Sequence, residues 1–304
     1  MSGPRVSVVV PTYNARALLA ETLTTILAQT FVDFELIVID DGSTDDTADY
    51  LASIDDSRVR VIRQANAGVG AARNRGIDDA RGEFVAFCDH DDLWAADKLA
   101  TQVAFMDAYP ACVACVVPWS YSTDPEKPIY THAGPTPFVE RPLRVLARGG
   151  LFLITSALMA RRSALDGLRY FTEPHCFEDT PLQVKLLARG PFGVAGDRVR
   201  MVYRWHESNY SSSADYFANG VALLRRSQAN GYFSDVADRR DLEAFVCHLA
   251  RTATMKLLKA GRRGDAWRLY RREFGRQIAA RAWKFVLGFP ALSLVPSSGT
   301  PGEG

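Results

Sequence analysis

Charge of one sign is nearly missing from this 304-residue chain: 36 basic against 35 acidic residues leave a net of +1. That balance argues against a protein built chiefly to hold nucleic acid. Cysteine is scarce and odd in number, with Cys88, Cys112, Cys115, Cys176 and Cys247 set mostly in apolar stretches. A disulfide scaffold is therefore excluded, and buried thiols in a reducing compartment are expected. Cys112 and Cys115 form a C-x-x-C, but no second pair stands at zinc spacing, so both are assigned to core packing. Only five residues, Val6 to Val10, precede Pro11 as an apolar run, too few for the core of a signal peptide, and a cytosolic setting is expected. No internal repeat is visible. What is present is ordinary globular material: 47% apolar, 11% aromatic and 23% charged residues. That composition rules out collagen and broad disorder and supplies an ample core for one large α/β domain with an added segment. The neutral total hides one asymmetry. Arg251 to Lys284 holds 11 Lys/Arg and 2 Asp/Glu, a local +9 that leaves the remainder at −8.

Strand-like and helix-like segments alternate along the first half. Val6-Ser-Val-Val-Val10 is apolar on both faces, as an interior parallel strand requires. Leu18, Leu19, Leu23, Ile26 and Leu27 follow at helical spacing, with Asn14 placed to cap them. Glu35 to Ile39 reads as a second strand, and Ser43 and Asp46 stand at capping-box distance before a second helix. Arg58 to Ile62, Gly68 to Ala80, Glu83 to Cys88 and Asp97 to Ala108 continue the alternation, which predicts parallel strands joined by right-handed crossovers. Ala114 to Val117 reads as a fifth strand and Ser120 to Pro137 as a surface loop. A helix near 138–148, a strand near 155–160, a helix Pro181 to Arg189 and a strand pair within 192–205 complete the α/β part. Helices alone are expected beyond Ser211, and a disordered tail over 297–304. In such a sheet ligands gather where strands end, so Pro11, Asp40 and Asp89 are predicted to converge on one crevice.

Several segments there can carry chemistry. Asp89-His90-Asp91-Asp92 places three carboxylates within four positions directly after a strand. Such clustering is unfavourable unless a cation sits among them, and a hard ion such as Mg²⁺ or Mn²⁺ is the usual one. One or two carboxylates hold Mg²⁺ while substrate phosphates complete its shell, which points to a nucleotide. A solvated turn in which Asp91 or Asp92 caps the next helix is the plainer alternative. Asp40 can accept a hydrogen bond from a base or ribose while Asp41 to Asp46 build a turn. Gly68-x-Gly70 opens a helix whose free amides favour an anion, and Arg73 offers a planar fork to a diphosphate. The same glycines partly imitate a dinucleotide fingerprint, which keeps a nicotinamide-dependent oxidoreductase as an alternative. Arg73, however, stands where the third glycine belongs. Glu178 and Asp179 precede Thr180-Pro181 and read either as a helix cap or as a general base. His206 follows the last strand and reads as structural or as a ligand.

Together these segments resemble the glycosyltransferase family 2 enzymes of the GT-A fold. The matching blocks are Val6 through Pro11-Thr12-Tyr13-Asn14, Ile39-Asp-Asp-Gly-Ser-Thr-Asp45, Asn66-x-Gly68-x-x-x-Ala72-Arg73-Asn74-x-Gly76, Asp89-x-Asp91-Asp92-x-Trp94 and Glu178-Asp179. The resemblance implies a Rossmann-like, mostly parallel central sheet flanked by helices over residues 1–210, with a helical extension over 211–296. It places Pro11, Thr12, Tyr13 and Asp40 at the nucleoside, with Asn66 and Gly68 in the donor-binding loop and Arg73 at ribose or phosphate. Asp89 and Asp91 become the D-x-D pair that holds Mn²⁺ or Mg²⁺, with His206 nearby, and Asp179, beside Glu178, becomes the catalytic base. The implied reaction is inverting sugar transfer from a nucleoside-diphosphate sugar, a UDP-sugar first, to a hydroxyl of a glycan or lipid-linked acceptor in glycoconjugate synthesis. A non-catalytic sugar-nucleotide-binding protein is the other alternative. Pro181 stands where many relatives carry a further acid, so the acceptor side differs, and acceptor choice is expected in the helical part.

The basic C-terminal stretch admits a solvated face, an arm for an anionic acceptor, or an amphipathic surface at the inner face of the cell membrane. Trp283 to Val295 is apolar but too short to span a bilayer. A packed terminal helix or a contact between copies of the chain explains the same residues.

Overall fold

Two runs of β-branched residues set the centre of the sheet. In the computed structural model, which describes residues 3–124, 127, 138–148, 153–173, 177–205 and 213–294, β1 (Val6–Thr12) is buried along its whole length. After α1 (Arg16–Leu27), β2 (Phe34–Asp40), equally buried, pairs with it in parallel and sets Thr12 opposite Asp40. Further along lie α2 (Thr47–Ala52), β3 (Val59–Arg63), α3 (Val69–Asp79), β4 (Phe84–Phe87), β5 (Leu93–Trp94), α4 (Lys98–Ala108), β6 (Ala114–Val116) and β7 (Trp119–Tyr121). Next come β8 (Phe138–Val139), α5 (Pro142–Ala147), β9 (Leu158–Arg161), α6 (Thr180–Leu187), β10 (Phe192–Val194) and β11 (Met201–Tyr203).

The large sheet runs β3-β2-β1-β4-β9-β6-β10-β8, and a small one runs β5-β11-β7. Strands β1 to β4 are parallel as expected. Beyond them β9 enters antiparallel between β4 and β6, and the sheet is mostly parallel, as the resemblance implied. Its entry places the residues just ahead of it, Thr155–Ala157, beside the end of β4. β10 and β11, read as a pair in the sequence, lie in different sheets. The helix expected near 138–148 begins only after the two residues of β8.

Capping also departs from the sequence reading. Asn14 does not cap α1. It adopts a left-handed φ of 47°, and its Oδ1 accepts from the amides of Thr44 and Asp45, tying the loop after β1 to the loop after β2. Ser43 spends its hydroxyl on the Asn14 amide and Asp46 makes no side-chain cap, so no capping box forms. An alanine methyl at Gly70 would lie 1.9 Å from the Phe171 carbonyl, and one at Gly76 would lie 2.2 Å from Val9. Glycine at these two positions is what lets α3 press against β1 and the 171 segment.

The chain divides into two compact units. One draws on described residues up to 145, on 153–173 and on 178–205; the other takes 213–294 with Phe177. Within the second, α7 (Ala214–Ala229), α8 (Arg239–Lys259), α9 (Arg263–Ala279) and α10 (Trp283–Leu294) close around Val221, Ala250, Leu257, Leu269, Tyr270 and Phe289. Arg225, largely buried there, is compensated by Glu243 and Glu273, each at 2.6 Å. The expected boundary at 210, His206 and the tail over 297–304 lie outside the described residues. Among the described residues no helix is long and apolar enough to cross a membrane.

Candidate active site

The carboxyl ends of β1, β2 and β4 bring the sequence-predicted residues to one edge of the sheet. Pro11 and Thr12 are buried at the end of β1, and Tyr13 beyond them is 44% exposed. The Thr12 hydroxyl has no hydrogen-bond partner among the described residues. Asp40, buried at the end of β2, accepts the Ser43 amide at 2.8 Å, and Arg63 lies 3.6 Å from its other oxygen.

Its neighbour Asp41, expected only to build a turn, has a larger task. Asp41 Oδ1 accepts from the Ala67 amide at 3.0 Å and from Gln64 at 2.7 Å, while Oδ2 accepts from the Gly68 amide at 2.8 Å. The loop Asn66–Gly68 is thereby fastened to the end of β2. Ahead of α3 the chain's own carboxylate thus takes the amides of Ala67 and of the N-cap residue Gly68.

Arg73 is the hinge of the cluster. The resemblance puts it at ribose or phosphate; the residue is 4% exposed and is paired with two carboxylates. It donates to Asp89 Oδ1 at 2.6 Å and to Glu178 Oε1 at 3.0 Å, and it lies 5.1 Å from the ring centroid of Tyr170. Burying a cation among two carboxylates is tolerable because its charge is matched, and that matching lifts the arginine pKa further. The next residue, Asn74, exchanges two hydrogen bonds with the backbone of Tyr170, at 2.8 and 2.9 Å, and so holds the segment that Arg73 faces.

Two adjacent residues in the turn before β9 complete the link. Ser156 Oγ accepts the Asp89 amide at 2.9 Å, and Thr155 Oγ1 donates to Asp179 Oδ2 at 3.1 Å. Asp179 holds the N-cap position of α6 but makes no side-chain cap hydrogen bond. Its Oδ2 also accepts from Gln183 at 3.1 Å, while the Thr180 hydroxyl donates to Oδ1. Glu178 is pushed up to about 7, first by burial and then by Asp179, with Arg73 opposing.

The acidic turn itself is pinned from below. Arg204, just after β11, donates through its amide to Asp92 Oδ1 and through its guanidinium to the Asp91 carbonyl, Thr22 and Glu21. Asp92 is wholly buried, and burial with the charges of Asp91 and Asp89 raises its pKa well above the carboxylate range. Neither Asp91 nor Asp92 caps α4, whose N-cap position is Asp97. Lys98 is also wholly buried, donating to Gln102 at 2.7 Å with its ammonium 3.6 Å from the Trp94 ring centroid; burial pulls its pKa down to about 7.

Among the described residues no three His, Cys, Asp or Glu side chains form a ready metal cage. Asp89 and Asp91 nevertheless offer two hard oxygen donors, the number Mg²⁺ takes from protein when substrate phosphates complete its shell. One oxygen of Asp92 in the same turn is buried without a hydrogen-bond partner. The residues present fit such an ion. Asp41, Asn74, Thr155, Ser156 and Arg204 escaped sequence reasoning, although Asp41 and Asn74 stand inside the quoted motifs. Thr155, Ser156 and Arg204 become legible only once β9 and β11 are placed.

Comparison with known proteins bears on the family and the fold. The family described as Glycosyl transferase family 2 matches residues 7–169. An Escherichia coli protein, UDP-Glc:alpha-D-GlcNAc-diphosphoundecaprenol beta-1,3-glucosyltransferase WfgD, is 38% identical over 102 residues, 33% of this chain and 40% of that protein. Across the curated relatives it matches, the shared segment spans less than half their length. Among solved structures, residues 1–349 of S. aureus TarS in complex with UDP-GlcNAc superpose with a TM-score of 0.63 at 19% identity, covering 94% of this chain and 92% of that one. The mannosyltransferase PcManGT from Pyrobaculum calidifontis, in complex with GDP-Man and Mn²⁺, gives 0.58 at 22% identity, covering 97% and 87%. Both share the fold, the GT-A arrangement that the sequence resemblance implied.

Proposed function

Because the chain belongs to glycosyltransferase family 2, whose model spans more than half of it, we propose that it moves a sugar from a nucleoside-diphosphate donor to an acceptor hydroxyl with inversion. The observation that carries the reading is the continuous link from Asp89 to Glu178 through Arg73, and from Asp89 to Asp179 through Ser156 and Thr155. Acidic turn and base motif, 90 residues apart in sequence, thus share one scaffold. A UDP-sugar is the favoured donor, supported by the UDP-GlcNAc held by TarS. A lipid-linked diphosphate acceptor is favoured by the name of WfgD.

The nucleoside lies against Pro11, Thr12 and Tyr13 with Asp40 at the base, and Asn66 and Gly68 line the donor loop held by Asp41. Asp91 and Asp89 would hold Mg²⁺ or Mn²⁺, which would supply positive charge against the departing diphosphate. His206 belongs to this proposal as a further ligand. Asp179 takes the proton of the acceptor hydroxyl while the new C1–O bond forms on the face opposite the breaking bond to the diphosphate. A single displacement of this kind inverts C1, releasing nucleoside diphosphate and leaving the proton on Asp179. Arg73 acts through its neighbours, holding Asp89 and Glu178 in register.

Release of UDP from a panel of UDP-sugars, with Mn²⁺ and a lipid-diphosphate acceptor, tests the reading. Activity is expected for the wild type, and Asp91→Ala lowers it about 10²-fold or more. Undiminished release by Asp91→Ala would refute the metal assignment, and metal-free protection by NAD would favour the oxidoreductase alternative.

A further inference from the structure

The last helix of the second unit is apolar on two faces, and only one of them is used. Val286, Phe289 and Ser293 of α10 are buried. Phe289 stacks on Tyr270 at 4.6 Å, and the Tyr270 hydroxyl donates to the Val286 carbonyl at 2.7 Å. That contact fixes the rotation of the helix. Trp283 and Leu287, one turn apart, then fall within about 40° of one another on the outer side; they are 50% and 73% exposed, and Leu294, beyond Pro290, is 79% exposed. Isolated exposed leucines are unremarkable, but an aligned tryptophan and leucine, with a second exposed leucine, on a helix with a single charged residue, Lys284, form a patch that water disfavours.

The exposed charges described on α10, in the turn before it and beside Trp267 are positive. Lys284 is exposed on α10 itself, and Arg281 is exposed in the turn before it with a left-handed φ of 56°. Arg271, exposed on α9, lies 5.5 Å from the ring centroid of Trp267, which packs against Phe289. The two acids of the region are committed elsewhere: Asp265 pairs with Arg262 and Arg268, and Glu273 is buried against Arg225. An apolar stripe accompanied by exposed cations, on helices whose only described acids are held by arginines, is complementary to an anionic bilayer, whose headgroups take the cations and whose acyl boundary takes the stripe. A second copy of the chain would bring the same cations against themselves. At 12 residues, α10 is about 18 Å long, short of the roughly 30 Å hydrocarbon core, so it lies on the surface.

We propose that the outer face of α10 docks this protein on an anionic lipid surface, with Trp283, Leu287 and Leu294 entering the acyl boundary and Arg271, Arg281 and Lys284 at the headgroups. This surface stands independently of the transferase reading. The test is cosedimentation of the full chain with vesicles of phosphatidylcholine alone and of phosphatidylcholine mixed with phosphatidylglycerol, at low and high salt. Partitioning is expected to be at least about tenfold stronger on the anionic vesicles and to fall with salt. Leu287→Glu lowers it about tenfold or more, and Lys284→Glu weakens it on anionic vesicles only. Leu287 is mostly exposed, so the variant retains the fold, which its urea unfolding curve checks. No preference for phosphatidylglycerol, or wild-type partitioning by Leu287→Glu, would overturn the proposal. So would a concentration-dependent dimer that Leu287→Glu abolishes in a protein that ignores both vesicles.

Discussion

Asp179→Asn is expected to lower sugar transfer by about 10²–10⁴-fold, the range a positioned proton acceptor contributes, while UDP affinity stays close to wild type. The amide keeps the shape that Thr155 and Gln183 hold at 3.1 Å each, so the pocket is preserved and only the basicity is lost. Initial rates with saturating donor and acceptor, set beside calorimetric UDP affinities, separate the two effects. A parallel loss of UDP binding would move Asp179 out of the base role and into the donor pocket. Uncatalysed rates would be approached from the acceptor side alone, because nothing else in the donor scaffold changes.

Arg73→Met is expected to cost about 3–5 kcal/mol of stability, the range seen when one partner of a buried ion pair is removed. Asp89 and Glu178 would then face each other without the cation that spans them at 2.6 and 3.0 Å. The loss depends on pH in a defined direction. Glu178 sits at about 7 in the folded protein against 4.5 for the ordinary carboxyl. Below about 4.5 it is protonated in both folded and unfolded chains and costs nothing. Between 4.5 and about 7 the folded state keeps a proton that the unfolded chain releases, so this group makes stability fall as pH rises through that window. Arg73 is what restrains the rise, so its removal carries the window upward. Urea unfolding of wild type and variant at about pH 5 and about pH 8 should show the gap widening at the higher pH. A constant gap would mean that Arg73 stabilises by packing on Tyr170, not by charge.

Much of this arrangement could be read from the chain before any coordinates. The unbroken apolar runs at β1 and β2 identify interior parallel strands, and Asp40 and Asp89 follow from strand ends because loops after parallel strands must emerge at one edge. The helical character of the region beyond 213 follows equally from its 3.6-residue spacing. What the chain conceals is non-local. Nothing in Leu158–Arg161 announces that the strand runs antiparallel between β4 and β6, since strand direction depends on partners, not on composition. Thr155 and Ser156 therefore carry no signal, although they join Asp89 to Asp179. Asn14 and Asp41 mislead for a different reason. Short polar side chains cap helices locally and cross-link loops at a distance with the same atoms, and only the fold decides between the two uses. The contacts of Arg73 with Asp89 and Glu178 carry no signal in the chain either, because a fork of donors suits a carboxylate as well as a phosphate.

Calorimetric titration of UDP into the wild-type protein and into Asp91→Ala, each with and without Mn²⁺, tests the central claim most directly. A nucleotide site completed by a cation on the aspartates after β4 predicts a UDP affinity in the wild type that rises at least about tenfold with Mn²⁺. Asp91→Ala should show no such gain. Equal UDP affinity in all four titrations, or no binding in any, would contradict it.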